Sequence, residues 1–175
     1  MEDFSNDNPQ LIVLSLQIKE KNIDKEKALS RLQNLCARSE KCTGDLRQKM
    51  ILWKMESDDI AWVIGSLTSD KFVDDTRYAA MFVRDKSKIS KWGRIKITTA
   101  LRAKGISTEI ITEALTQIDP SADRAQLLEL ITRKAKQTKA KSVYDLKNKL
   151  IRFGVSRGFD MGVVIDVVNG VVKGE

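Results

Sequence analysis

Apolar residues recur at three- and four-residue intervals from about residue 25 to the end of the chain, the spacing of helices that bury one face. Leu46, Met50 and Trp53 mark one stripe, and Ile60, Val63, Ile64 and Leu67 the next. Ala79, Phe82 and Val83 follow, then Ile97 and Leu101, then Ile111, Ala114, Leu115 and Ile118. Leu127, Leu130, Ile131, Leu146, Leu150, Phe153, Val163, Val164, Val167 and Val168 complete the series. The valines of 163–172 would also suit a strand, but their 3–4 spacing and Asp160, a plausible N-cap just before them, decide for helix.

Start signals cut these stripes into short elements. Ser57 before Asp58-Asp59, Ser107 before Glu109, and Ser142 before Asp145 read as N-caps with acidic first turns. Asp119-Pro120 reads as an N-cap followed by proline at the first helical position. Helices of about 10–17 residues result, too short to be stable alone, so packing must hold them.

Lining up the stop signals exposes a weak internal repeat. Lys104-Gly105-Ile106 is followed five residues on by Ile111 and then Leu115, and Arg157-Gly158-Phe159 at the same spacing by Val164 and Val168. Trp53-Lys54-Met55 precedes Ile60 and Ile64 in the same way. The period is about fifty residues, and each copy holds three helices with a left-handed glycine closing the second. Lys54 stands where the other copies have glycine, so the first turn should be made differently. The expected division is a first repeat at 25–69, a second at 70–119 and a third at 120–175. Residues 1–24 form a separate lead-in whose structure the pattern leaves open: Ile12, Leu14, Leu16 and Ile18 alternate like a strand without a visible partner, and a mobile or helical lead-in fits equally well.

Composition narrows the function. With 175 residues, 42% hydrophobic and 31% charged, the chain has the makeup of a globular protein with a real core. The longest apolar run near the start, Leu11 to Leu14, stops at Ser15, far short of a membrane span. The acidic Met1-Glu2-Asp3 start argues against a signal peptide. Two cysteines, Cys36 and Cys42, make no disulfide framework, and a cytoplasmic setting is expected. The chain has no histidine, which removes the commonest general base and metal ligand and with them every Ser-His-Asp or Cys-His arrangement. No metal or other cofactor is expected. Binding, not catalysis, is the reading.

The net charge of +7 hides a segregation. From Arg84 to Lys104 eight basic residues face one acid, and from Arg133 to Arg157 nine face Asp145 alone. With those stretches at +7 and +8, the remainder of the chain carries −8. Two such runs at comparable places in successive repeats form a potential that draws in a polyanion or an acidic protein surface. Asp74-Asp75 reads as a helix start stabilised by the dipole rather than a metal or acid–base pair. Trp53 and Trp62 fall in core stripes, and Cys36 reads as a small core residue. Trp92, beside Gly93 in the first basic run, is the one aromatic retained as a contact candidate.

The run from Val73 to Arg84 (Val-Asp-Asp-Thr-Arg-Tyr-Ala-Ala-Met-Phe-Val-Arg), followed by Trp92-Gly93, Ile97, Leu101 and Lys104-Gly105-Ile106, resembles the central repeat of the bacterial RecX regulatory family. Leu35 to Glu40 and Asp45 to Met50 are similar to that family's first repeat. The resemblance spans about residues 25–170, is strongest over 70–116 and weakens in the third repeat. It implies an all-α fold of three tandem three-helix repeats forming an elongated, curved body. It also implies a non-enzymatic modulator, mainly an inhibitor, of the RecA recombinase. Such a protein lodges as a monomer in the RecA filament on single-stranded DNA and suppresses its ATPase, strand exchange and coprotease activity. Arg77, Tyr78, Phe82 and Gly93 match the family motif; Phe82 should pack inward and Gly93 serve a loop. Arg77 opposes the helix dipole, so it should have a partner, either Asp74 or something outside the chain. Candidate filament or DNA contacts are Arg77, Arg84, Lys88, Lys91, Arg94, Lys96, Lys104, Lys147, Lys149, Arg152 and Arg157. A second reading, from the charge alone, is a direct DNA-binding protein that sets basic helices on the phosphate backbone. An enzyme is the least favoured of the three.

Overall fold

The computed structural model describes residues 23–173, and among them there is helix and no strand. The helices are α1 (Lys25–Arg38), α2 (Thr43–Leu52), α3 (Ser57–Ser69), α4 (Asp75–Lys88), α5 (Arg94–Ala103), α6 (Thr108–Leu115), α7 (Pro120–Gln137), α8 (Val143–Ser156) and α9 (Met161–Lys173). The valine-rich end is helix α9, with Val164, Val167 and Val168 buried. The alternation at Ile12, Leu14, Leu16 and Ile18 lies outside the described residues. No helix among those described is long and apolar enough to cross a membrane.

The chain divides into two compact units, through Asp74 and from Asp75 on. In the first, α1 and α2 both pack on α3. Ala28, Leu32, Leu46, Met50, Ile60, Val63 and Leu67 form its core, with Val73 closing one end. The second unit holds two triplets, α4–α6 and α7–α9, in each of which every helix touches the other two. Leu101 is 0% exposed at the centre of the α4–α6 triplet. Leu127, Ile131, Leu150, Phe159, Val164 and Val168 fill the other.

Most helix starts are made as the sequence indicates. The Ser107 and Ser142 hydroxyls accept from the Ile110 and Asp145 amides. Asp119 accepts from the hydroxyl and the amide of Ser121, which hold its carboxyl below the usual range. Asp160 accepts from Gly162 and Val163. Helix α3 differs: Glu56 is its cap position without a side-chain bond, and Ser57 lies inside the first turn beside Asp58 and Asp59. The fully buried thiol is Cys42, which caps α2 by accepting from the Asp45 amide, whereas Cys36 is half-buried against the first core. Trp62, expected in a core stripe, is 43% exposed with the Lys25 ammonium 5.1 Å from its ring centre.

The three stop turns are built alike. Gly105 and Gly158 take φ of +77° and +87°, and Lys54 takes φ of +59° at the equivalent place. All three turns close with the same pair of bonds, Lys54 to Ile51 and Met55 to Met50 matching Gly105 to Arg102 and Ile106 to Leu101, and Gly158 to Val155 and Phe159 to Gly154. The expectation of a different first turn is therefore corrected: lysine adopts the glycine conformation there. A left-handed non-glycine residue costs about 1 kcal/mol, so Lys54→Gly should stabilise the first unit by about that amount in urea unfolding. An unchanged midpoint would show the strain to be relieved elsewhere.

Candidate interface for a polyanionic partner

The two basic runs, separate in sequence, meet where the α4–α6 and α7–α9 triplets join. Main chain touches main chain at that seam: the Gly93 amide donates to the Arg157 carbonyl at 2.9 Å and the Ile95 amide to the Gly158 carbonyl at 3.0 Å. Such an approach leaves no room for a side chain. A Cβ on Gly93 would collide with the Gly158 carbonyl, and one on Gly158 with Lys96. Gly93 thus serves more than a loop; it caps α5 and lets two triplets meet by their backbones.

Several candidate cations are spent on this seam. Arg94 donates through Nη2 to the Leu115 carbonyl at 2.7 Å. Its Nε and the Oδ1 of Asp123 are both buried without a hydrogen-bond partner. Burial pushes the Asp123 carboxyl above its ordinary range, and the Arg94 charge partly opposes that rise. Lys96 Nζ donates to the Ser156 carbonyl at 3.1 Å, and Arg157 Nη1 to the Ser90 carbonyl at 3.3 Å. Lys96 and Arg157 bond across the two triplets, while Arg94 bonds within its own and reaches the other only through its charge on Asp123. Full exposure, implied by reading the run as a solvated row, does not hold for them.

Aromatic rings organise the neighbouring cations. Tyr78 stacks on Phe82 at 5.9 Å between centroids, and Phe82 meets Trp92 edge-on at 6.5 Å. Lys104 lies 5.7 Å from the Tyr78 ring centre. Lys86 and Lys96 lie 5.0 and 4.8 Å from that of Trp92. Across the seam, Lys134 and Arg157 lie 5.5 and 5.3 Å from the Phe153 centre. Each contact contributes about 0.5–1 kcal/mol at such sites and restrains a flexible stem. Trp92 is half-buried, and Lys86, Lys96 and Phe82 crowd its ring, which limits it as a base-stacking surface.

The remaining candidates are spread over α4, the turn before α5, and α8. Arg77 is exposed in the first turn of α4, and Lys88 is exposed at its end. Arg84 is exposed with Nε 3.4 Å from Asp85. Lys91 holds φ of +55° in the turn before α5. In α8, Lys147 donates to Asn169 Oδ1 at 2.8 Å. Lys149 donates to Asp145 Oδ2 and to the Lys139 carbonyl. Those bonds, first the Lys149 ammonium and then the Lys141 amide, hold the Asp145 carboxyl below its usual range. Arg152 is exposed one turn further on. Lys86 and Lys134 are not among the sequence candidates, yet Lys86 lies over Trp92 and Lys134 over Phe153. For Lys86 the signal is present in the sequence, since Phe82 and Lys86 are an i,i+4 pair; Lys134 and Phe153 are joined only by folding.

Comparison with known proteins gives the arrangement a context. The family model described as "RecX, second three-helix domain" matches residues 74–115, and that described as "RecX, third three-helix domain" matches 122–168. A regulatory protein RecX of Clostridium botulinum (strain Eklund 17B / Type B) is 33% identical over 140 residues, 79% of this chain and 65% of that protein. One of Clostridium perfringens (strain 13 / Type A) is 31% identical over 159 residues, 87% of this chain and 72% of that protein. The aligned stretch thus spans just under two thirds of the first relative's own length. The crystal structure of RecX from Lactobacillus salivarius superposes with a TM-score of 0.72 at 20% identity, covering 84% of this chain and 96% of that one. A second crystal structure, of a regulatory protein RecX, gives 0.76 at 21% identity, covering 97% and 82%. Both likenesses concern the fold.

Proposed function

The chain belongs to the RecX family of regulatory proteins, and from that premise we propose that it binds the RecA filament on single-stranded DNA and restrains it. The restraint falls on ATPase, strand exchange and coprotease activity, and the protein acts without chemistry of its own. The observation that carries the reading is the convergence of both basic runs on one seam, with ring-held lysines at its centre and exposed Arg84, Lys88 and Arg152 on α4 and α8. A filament carrying DNA is a regular polyanion, and a repeat protein can meet several of its subunits at once. Fixed cations lose less conformational entropy on meeting phosphate or carboxylate than free ones do.

The test uses cations that the fold does not consume. Arg84, Lys88 and Lys91 replaced together by Glu reverse three charges outside the interior contacts of Arg94, Lys96 and Arg157. Inhibition of the recombinase's DNA-dependent ATPase should weaken about five- to tenfold, and the wild-type effect should itself fade as salt rises. Reversing Lys27, Arg31 and Arg38, which are not in either basic run, should leave inhibition nearly intact. Equal loss in both variants would mean that overall charge governs binding, and undiminished inhibition in the first would move the contact surface away from this seam.

A further inference from the structure

We propose that the solvent face of α8 is a single-stranded nucleic-acid contact in which Tyr144 stacks on a base and Arg152 meets the backbone phosphate. This rests on the second, direct-binding reading of the charge, and it adds a site that the basic runs do not name. Tyr144 is 77% exposed, where Tyr78 is 6% exposed and packed in the ring ladder. A single exposed ring is ordinary on a protein surface; what sets Tyr144 apart is that it shares a depression with a cation.

The ring lines an open depression of about 370 Å³, room enough for a flat heterocycle, together with Asn148, Ile151 and Arg152. Asp145 also lines it, but its charge is met by Lys149 and by the Lys141 amide. Those same bonds fold the connection that carries Lys139 and Lys141 back beside the start of α8. From Arg133 to Arg157 nine basic residues face one acid, so charge complementarity specifies a polyanion. The occupant is narrowed further by shape. An amphipathic helix would need a continuous apolar stripe, whereas here Tyr144, half-buried Ile151 and exposed Val155 are interrupted by Asn148 and flanked by Arg152. One ring with a cation two turns along the helix matches a base and its phosphate instead. Base–aromatic stacking needs no sequence preference, because every base has a π-face.

The experiment measures fluorescence anisotropy of the full chain with labelled oligothymidylate of about 15 nucleotides and with an abasic strand of equal length. Wild type should bind the base-bearing strand more tightly. Tyr144→Ala should lose about tenfold on oligothymidylate and almost nothing on the abasic strand. Tyr144→Phe should restore the difference, while Arg152→Ala should weaken both strands alike and flatten the salt dependence. Because Tyr144 is exposed, the far-UV spectrum and unfolding midpoint should not move. Four results would overturn the proposal: Tyr144→Ala binding oligothymidylate like wild type, equal losses on both strands, competition by polyglutamate as strong as by the oligonucleotide, or no binding of either strand. Inhibition of the recombinase ATPase, measured in parallel, separates the two conclusions, since its survival in Tyr144→Ala would leave the filament reading standing.

Discussion

Gly158→Ala should destabilise the second unit by about 2–5 kcal/mol, measured as a lowered urea midpoint for residues 75–173. Two costs combine. A φ of +87° is disfavoured for an L-residue by about 1–2 kcal/mol. The added methyl also falls on the Cβ and main chain of Lys96, and forcing a well-packed contact apart costs about 1–3 kcal/mol. Gly105→Ala is the matched control, because Gly105 has φ of +77° yet nothing within 4 Å of an added Cβ. It should cost only about 1–2 kcal/mol, and the difference between the variants isolates the seam. Gly93→Ala should resemble Gly158→Ala although its φ is ordinary, since its methyl meets the Gly158 carbonyl. Equal costs for Gly158→Ala and Gly105→Ala would show that the triplets do not meet as tightly as their main-chain bonds indicate.

Arg94→Met should cost about 2 kcal/mol near neutral pH, within the range for losing a hydrogen bond from a charged donor in a half-buried site. Methionine keeps the apolar stem, so what is lost is the bond to the Leu115 carbonyl and the charge that faces Asp123. The pH dependence carries the diagnostic sign. Burial raises the Asp123 carboxyl in the folded state above its ordinary 3.8. The native state therefore holds that proton more tightly than the unfolded chain does. Ionised Asp123 disfavours folding, and this penalty is relieved as pH falls through the raised folded value toward 3.8. Without Arg94 the rise is larger, so the deficit of Arg94→Met should be greatest at neutral pH and shrink on acidification. A deficit independent of pH would mean that Asp123 does not feel the guanidinium.

For function these results imply that the basic runs do two kinds of work. Lys96 and Arg157 bond across the two triplets and Arg94 braces the seam from within its own, facing Asp123, while Arg84, Lys88 and Arg152 remain at the surface. Charge reversal at the first set would lower binding by disturbing the seam, and a loss of inhibition there would say nothing about contact with a partner.

What the sequence determined by itself is local. Helical periodicity placed Leu46, Ile97, Leu101, Leu150 and Val164 inside, because a helix turns 100° per residue and a buried face must repeat with it. Side-chain caps at Ser107, Asp119, Ser142 and Asp160 were legible because each satisfies an amide two or three residues away. The resemblance over 70–116 was legible too, since it rests on a contiguous motif. Tertiary structure decided everything that depends on residues distant in the chain. Lys54 takes a glycine's conformation because the packing of α2 on α3 requires that turn whatever residue occupies it. Gly93 and Gly158 need to be glycines because they press against each other's triplet, a contact of 65 residues' separation that no local pattern encodes. The same holds for charge: a run of lysines and arginines announces its sign in sequence. Which of them hold carbonyls across a seam and which face solvent is set by where a second triplet docks.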